Sequence, residues 1–267
     1  MLTRLSALAL VATVAAGAAY ADDIVLKDPA GDDNGPGSYV YPTDPAYKAG
    51  SFDLSQVSIK SDTGRVTFDV KLNTQLEDPW RTGTGYSVQM VFIFIDTDNV
   101  PGSGHTASLP GLNVSFDPEN AWDKVVVLTP QTAARVKAEA AAKAPDMAGD
   151  IVTVSSKGRG QSIIGSAPLT TFGGGDPAAW SYQVVVQSNE GFPAGQDFLT
   201  RRVSEFAGAQ RFGGGNDSSC DPHVIDILAG AAKGESSEAA AQHAMLSHEC
   251  SEDGEPLRQP VLGMVSP

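Results

Sequence analysis

The chain has 267 residues, 41% of them hydrophobic, with 32 acidic against 18 basic residues and a formal net charge of −14. That hydrophobic fraction excludes a disordered chain, and the length is ample for a sizeable core. The acidic excess speaks against nucleic acid or an anionic membrane as partner, because both recruit basic patches, and it suits divalent cations or neutral ligands such as sugars.

In chain order, "MLTRLSALALVATVAAGAAYADD" opens with Arg4 as a short basic region. An apolar run follows from Leu5 to about Ala18, then Ala19-Tyr20-Ala21 before Asp22. This is the pattern of a secretory signal peptide over residues 1–21, and its apolar run is short for a membrane span. Export to the periplasm or beyond the cell is expected, with no transmembrane segment after cleavage. Residues 22–267 show no break in composition and read as one domain.

The next stretch, "DPAGDDNGPGSYVYPTD" at 28–44, crowds Asp28, Asp32 and Asp33 among glycines and prolines. Asp and Asn make turns, and that alone accounts for part of the composition. The density of carboxylates points further, to a structural cation. Calcium takes six to eight oxygen ligands, and a glycine-kinked loop can wrap it, although the spacing is not that of an EF-hand.

Alternating strands follow. "SFDLSQVSIKSD" places Phe52, Leu54, Val57 and Ile59 among polar residues, with a slip near Gln56 that reads as a bulge. "GRVTFDVKLN" puts Val66, Phe68, Val70 and Leu72 on one face, and "SDTG" joins the two runs as a hairpin. "YSVQMVFIFIDTD" is apolar almost throughout from Val88 to Ile95, as in a strand buried on both faces or at the centre of a sandwich. Asp96 and Asp98 end it, two carboxylates at i and i+2 that join the list of cation candidates. "NVSFD", "DKVVVL", "DIVTVSS", "QSIIGSAPL" and "WSYQVVVQS" supply further strands.

Helix is scarce. Residues 129–145 read as a helical insertion, with Thr129 as N-cap, Pro130 in the first turn and Pro145 beyond the end. "SSEAAAQHAMLSHEC" is a second helix, capped by Ser236 or Ser237. Strands without a βαβ alternation argue for an all-β fold, an antiparallel β-sandwich with one or two short helices. The repeat "FGGGD" at 172–176 and "FGGGND" at 212–217 reads either as two flexible loops or as backbone passing close to something.

Cys220 and Cys250 form a disulfide in an oxidising compartment; a zinc site with His223 and His248 is the weaker alternative, since the spacing matches no common zinc module. Trp80, Tyr86 and Trp122 sit beside loop-like polar residues and are the candidates for a sugar platform, although rings with a polar handle suit core edges equally. No nucleophile motif is present, neither G-x-S-x-G nor H-E-x-x-H, so a catalytic role is not expected.

The opening "DPAGDDNGPGSYVYPTD", together with "DPW" at 78–80, "YSVQMVFIFIDTD", "LPGLNVSF", "AWDKVVVL", "RFGGGNDSSCDPHVIDILAG" and "PVLGMVSP", resembles in order the C-terminal module of glucodextranases and some amylopullulanases. The resemblance implies a DOMON-like sandwich of the group that includes carbohydrate-binding modules. It implies a non-catalytic role in attachment to α-glucan or cell-envelope polysaccharide. Here the module is read as following the signal sequence directly, and glucan hydrolysis is not expected of it. Two other readings are a haem-binding or redox-partner DOMON-like protein, with His105 or Met90 as the available axial groups, and an envelope structural protein. The opening loop and the stretch from Phe212 to Leu228 are expected to lie together, with Asp33 and Asp217 at the same end of the sandwich.

Overall fold

The computed structural model describes residues 23–216 and 220–267. The expected signal peptide and Asp217 lie outside those residues. Fourteen strands are present: β1 (Ile24–Lys27), β2 (Leu54–Asp62), β3 (Arg65–Leu72), β4 (Gln89–Asp96), β5 (Ser115–Phe116), β6 (Lys124–Leu128), β7 (Ile151–Thr153), β8 (Lys157–Arg159), β9 (Ser162–Pro168), β10 (Ser181–Ser188), β11 (Asp226–Ile227), β12 (Glu249–Cys250), β13 (Pro256–Arg258) and β14 (Val261–Leu262). Two α-helices, α1 (Ala133–Lys143) and α2 (Glu238–Met245), and three short 3-10 turns complete the described elements.

The strands form two five-stranded sheets, ordered β1-β2-β3-β9-β8 and β11-β10-β4-β6-β7. The pairs are antiparallel except β6–β7. Between the sheets, Val57, Ile59, Phe68 and Val70 from the first meet Val91, Ile93, Val126 and Val184 from the second in one core. The all-β sandwich is therefore the fold.

The second sheet is covered on its other face too. Phe92, Phe94, Val125 and Val185 pack there against Leu112, Phe116, Val136 of α1, Phe198 and Leu246. Every residue of β4 and β10 is buried, which is why "MVFIFI" is continuous rather than alternating. The β2–β3 hairpin turns through Thr63 and Gly64, both at positive φ, as a two-residue turn requires. The register of β2 shifts between Leu54 and Gln56, so the bulge restores Leu54 and Val57 to the same buried face.

Helix α1 begins later than expected. Thr132, not Thr129, caps it, its side chain accepting from the backbone N–H of Arg135. Thr129 is buried instead, and its carbonyl accepts from the Ser156 hydroxyl.

The opening loop and the second glycine triplet do pack together. Val40 and Gly213 pair by two backbone hydrogen bonds, and the Gly35 N–H donates to the Ile225 carbonyl at 2.8 Å. Tyr41 and Phe52 both pack on Phe212, with ring centroids 4.9 and 5.0 Å away. At Gly214, with φ +87°, a Cβ would stand 2.0 Å from the Ser38 carbonyl oxygen. Glycine is thus required there for close backbone approach. The first triplet differs: side chains at Gly173 and Gly174 would meet nothing within 4 Å.

Candidate metal centre

Four buried aspartates gather where the edges of the two sheets meet. Asp28 follows β1, the edge of the first sheet, and Asp226 opens β11, the edge of the second. Asp32 lies in the loop after β1, and Asp53 immediately precedes β2. Carboxylate oxygens of Asp28, Asp32 and Asp226 lie within 4.8 Å of one another. The exposures of the three residues are 6%, 3% and 0%.

Backbone groups orient two of the four. Asp226 Oδ2 accepts from the Leu54 N–H at 2.7 Å and its Oδ1 from the Ile227 N–H at 2.9 Å. Asp53 Oδ2 accepts from the Gly31 N–H at 2.9 Å and from Asn73 Nδ2 at 3.0 Å. By contrast, both oxygens of Asp28, both of Asp32 and Oδ1 of Asp53 are buried without any partner. None of the ion pairs among the described residues involves these four acids.

The electrostatic consequence is large. Burial pushes Asp28 up to about 9, with the neighbouring charges of Asp32, Asp53 and Glu238 adding to it. Burial likewise raises Asp32 to about 7. Asp226 stands well above the ordinary carboxylate range for the same reason, followed by the charges of Asp28 and Asp32. Unpaired buried carboxylates cost several kcal/mol unless a cation compensates them. An all-oxygen donor set of this kind fits a hard divalent ion of the calcium type.

Two further groups hold the cluster in place. The Gln242 side chain from α2 accepts the Ile227 N–H at 2.9 Å and donates to the carbonyl of Asp32. Tyr39 donates to the Pro222 carbonyl at 2.5 Å across the same seam. Glu238, although buried, is engaged elsewhere: its carboxylate accepts from the backbone N–H groups of Lys233, Gly234 and Glu235.

Asp33 is not brought into the cluster with Asp28, Asp32 and Asp226. It accepts a hydrogen bond from the Tyr41 hydroxyl, which in turn receives the Phe52 N–H at 3.2 Å. Its role is to seat the Tyr41 ring. Asp226 and Asp53 were missed by the sequence reading. Asp226 sits inside an apolar run, "HVIDIL", and an acid flanked by Ile225 and Ile227 is the signal that marks it. Asp96 and Asp98 belong to a separate cluster with Asp123.

Two of the three proposed platform residues are also corrected. Trp122 and Tyr86 are both 0% exposed. Trp122 packs on Phe94 and donates its indole N–H to the Ala107 carbonyl at 2.9 Å; the Tyr86 hydroxyl meets Ser156 Oγ at 2.5 Å. Core packing and a satisfied polar atom explain both. Trp80 is 37% exposed, with its ring edge-on to Tyr47.

Cys220 and Cys250 are joined as a disulfide with Cα atoms 5.9 Å apart. Among the haem candidates, Met90 is fully buried in the outer core, and His105 Nε2 lies 2.8 Å from Asp150 Oδ2.

No helix of the described residues is long and apolar enough to cross a membrane. A search of curated proteins returned no match to the chain. The family model of the C-terminal binding module, SLH-like, of glucodextranase matches residues 24–259. That span starts at the first residue of β1 and takes in both sheets and both carboxylate clusters. The chain belongs to this family, one of binding modules rather than catalytic domains.

Proposed function

We propose that the protein is an exported, non-catalytic glycan-binding module whose sandwich is closed by a calcium ion at Asp28, Asp32 and Asp226. Membership of a binding-module family carries the binding role. The signal-like N-terminus supports export. The unpartnered buried carboxylates support the ion. The ligand class is α-glucan or a polysaccharide of the cell envelope, in keeping with a formal net charge of −14, which disfavours nucleic acid.

Of the three candidate platform rings, Trp80 is the one exposed for stacking on a sugar. The loop that carries it is stiffened by Asp78, whose carboxylate accepts from the N–H groups of Thr82 and Gly83 at 2.8 Å each. The same loop lends Thr82 and Thr84 to a hollow of about 200 Å³ whose other walls include Gln131, Thr132 and Ser156. Hydroxyls and amides at such a wall suit a ligand that presents hydroxyls of its own.

The test is titration calorimetry with soluble α-glucans and with cell-envelope polysaccharide, on the wild type and on Trp80→Ala. Saturable binding that weakens in the variant is expected. Absence of heat with every glycan at millimolar concentration would sink the assignment.

A further inference from the structure

The loop after β4 makes a second cluster that the first site does not use. Asp96 is the last residue of β4, Asp98 lies in the loop that follows, and Asp123 stands immediately before β6. One carboxylate oxygen of each lies within 4.8 Å of the others. The two clusters are well separated. Asp226 is registered against Val186 and, through it, Val91, whereas Asp96 is registered against Ser181. Five residues along a strand correspond to about 16 Å.

Each carboxylate spends one oxygen on shaping the loop. Asp96 Oδ1 accepts from the N–H of Asn99 at 2.7 Å, and Asp98 Oδ1 from the Val100 N–H at 2.9 Å and from Ser103 Oγ at 3.0 Å. Asp123 Oδ2 accepts from the backbone and the hydroxyl of Thr97 at 2.8 and 2.7 Å. Asp96 is 1% exposed, and its remaining oxygen is buried with no hydrogen-bond partner. None of the ion pairs of the described residues reaches the three acids. Lys124, next to Asp123, pairs with Asp150 instead. A backbone that is already folded around three acids, with one buried oxygen left over, lacks only a positive charge.

We infer that Asp96, Asp98 and Asp123 form a second cation site, independent of the first and specific for a hard, oxygen-seeking divalent ion such as calcium. Its structural effect is local and definable. Asn99, held at φ +51°, accepts from Ser181 Oγ at 2.5 Å and donates to the Ala179 carbonyl at 2.6 Å. An ion on this loop therefore ties the end of β4, the start of β6 and the start of β10 at one end of the sandwich.

The experiment counts calcium ions per chain by equilibrium dialysis and follows terbium, a calcium mimic, by emission sensitised through tryptophan. Trp122 adjoins Asp123, and Trp180 follows Ala179, so tryptophan-excited emission reports this site. Asp98 is exposed, and Asp98→Asn keeps a loop acceptor, so the variant is expected to fold, as circular dichroism checks. The wild type should bind two ions. Asp98→Asn should bind one and lose the sensitised emission; Asp32→Asn should keep that emission. An Asp98→Asn chain that binds as many ions as the wild type, or that retains the emission, overturns the inference. Failure of the first site alone shows differently: Asp32→Asn then leaves the ion count unchanged, while Asp98→Asn still lowers it.

Discussion

At the residue scale, the decisive property of Asp28 is that it is buried without a partner. In the absence of metal its carboxyl must enter the protein against both desolvation and its neighbours' charge. Asparagine enters neutral. Asp28→Asn is therefore expected to stabilise the chelated protein, by about 1–3 kcal/mol, and to destabilise the calcium-loaded one by a comparable amount. Melting temperatures of both chains, with calcium and with chelator, check this. A substitution effect of the same sign in both conditions contradicts a cation at Asp28. The neighbouring Asp33 shows how narrow such assignments are. One step along the chain turns the side chain from the cluster to the Tyr41 hydroxyl.

At the scale of elements, the site depends on α2 although α2 contributes no carboxylate to it. Gln242 is fully buried and bridges β11 to the opening loop through its two amide atoms. Gln242→Ala removes the link between these elements, leaving the Ile227 N–H to Asp226 Oδ1 alone and the Asp32 carbonyl to the Asn34 N–H. A stability loss of about 2–3 kcal/mol is expected, with weakened calcium binding at the first site and unchanged binding at Asp96–Asp98–Asp123. Urea unfolding and site-resolved calcium titration measure the two effects. Local sequence served well for elements governed by local forces. The Thr63-Gly64 turn, the bulge at Gln56 and the existence of both helices follow from turn chemistry, side-chain alternation and helix propensity. The start of α1 did not, because burial of Thr129 outweighs its capping preference and leaves Thr132 to cap.

At the scale of the whole molecule, three layers share two cores, and the second sheet is the middle layer. The C-terminal part, from β11 onward, is fastened to this body by the pairing of β11 with β10, by the hydrogen bonds from the Leu54 N–H to Asp226 and from Gln242 to the Asp32 carbonyl, and by the disulfide between Cys220 and Cys250, 30 residues apart. Closing a loop of that size contributes about 3–4 kcal/mol through the unfolded chain. Replacing both cysteines by alanine should lower stability by about that amount while leaving β4 and β10 protected in hydrogen exchange. Loss of protection throughout the sandwich would instead make the disulfide essential to the entire fold.

What depends on near neighbours could be read along the chain: the strand periods, the hairpin, the all-β class, the doubly buried β4, and Asp28 and Asp32 as carboxylates confined to one short loop. Motifs in order along the chain also marked the family. Tertiary structure alone decided which acids share a site. Asp226 stands almost two hundred positions from Asp28 in the chain, and only the meeting of two sheet edges brings their oxygens within 4.8 Å. It also decided that Trp122 and Tyr86 face the core, since a ring beside polar residues in sequence is equally able to turn inward, and packing settles the direction. The physical reason is the same in both cases. Turn and strand preferences act over a few residues, whereas convergence of charge and burial of rings are set by how whole sheets pack.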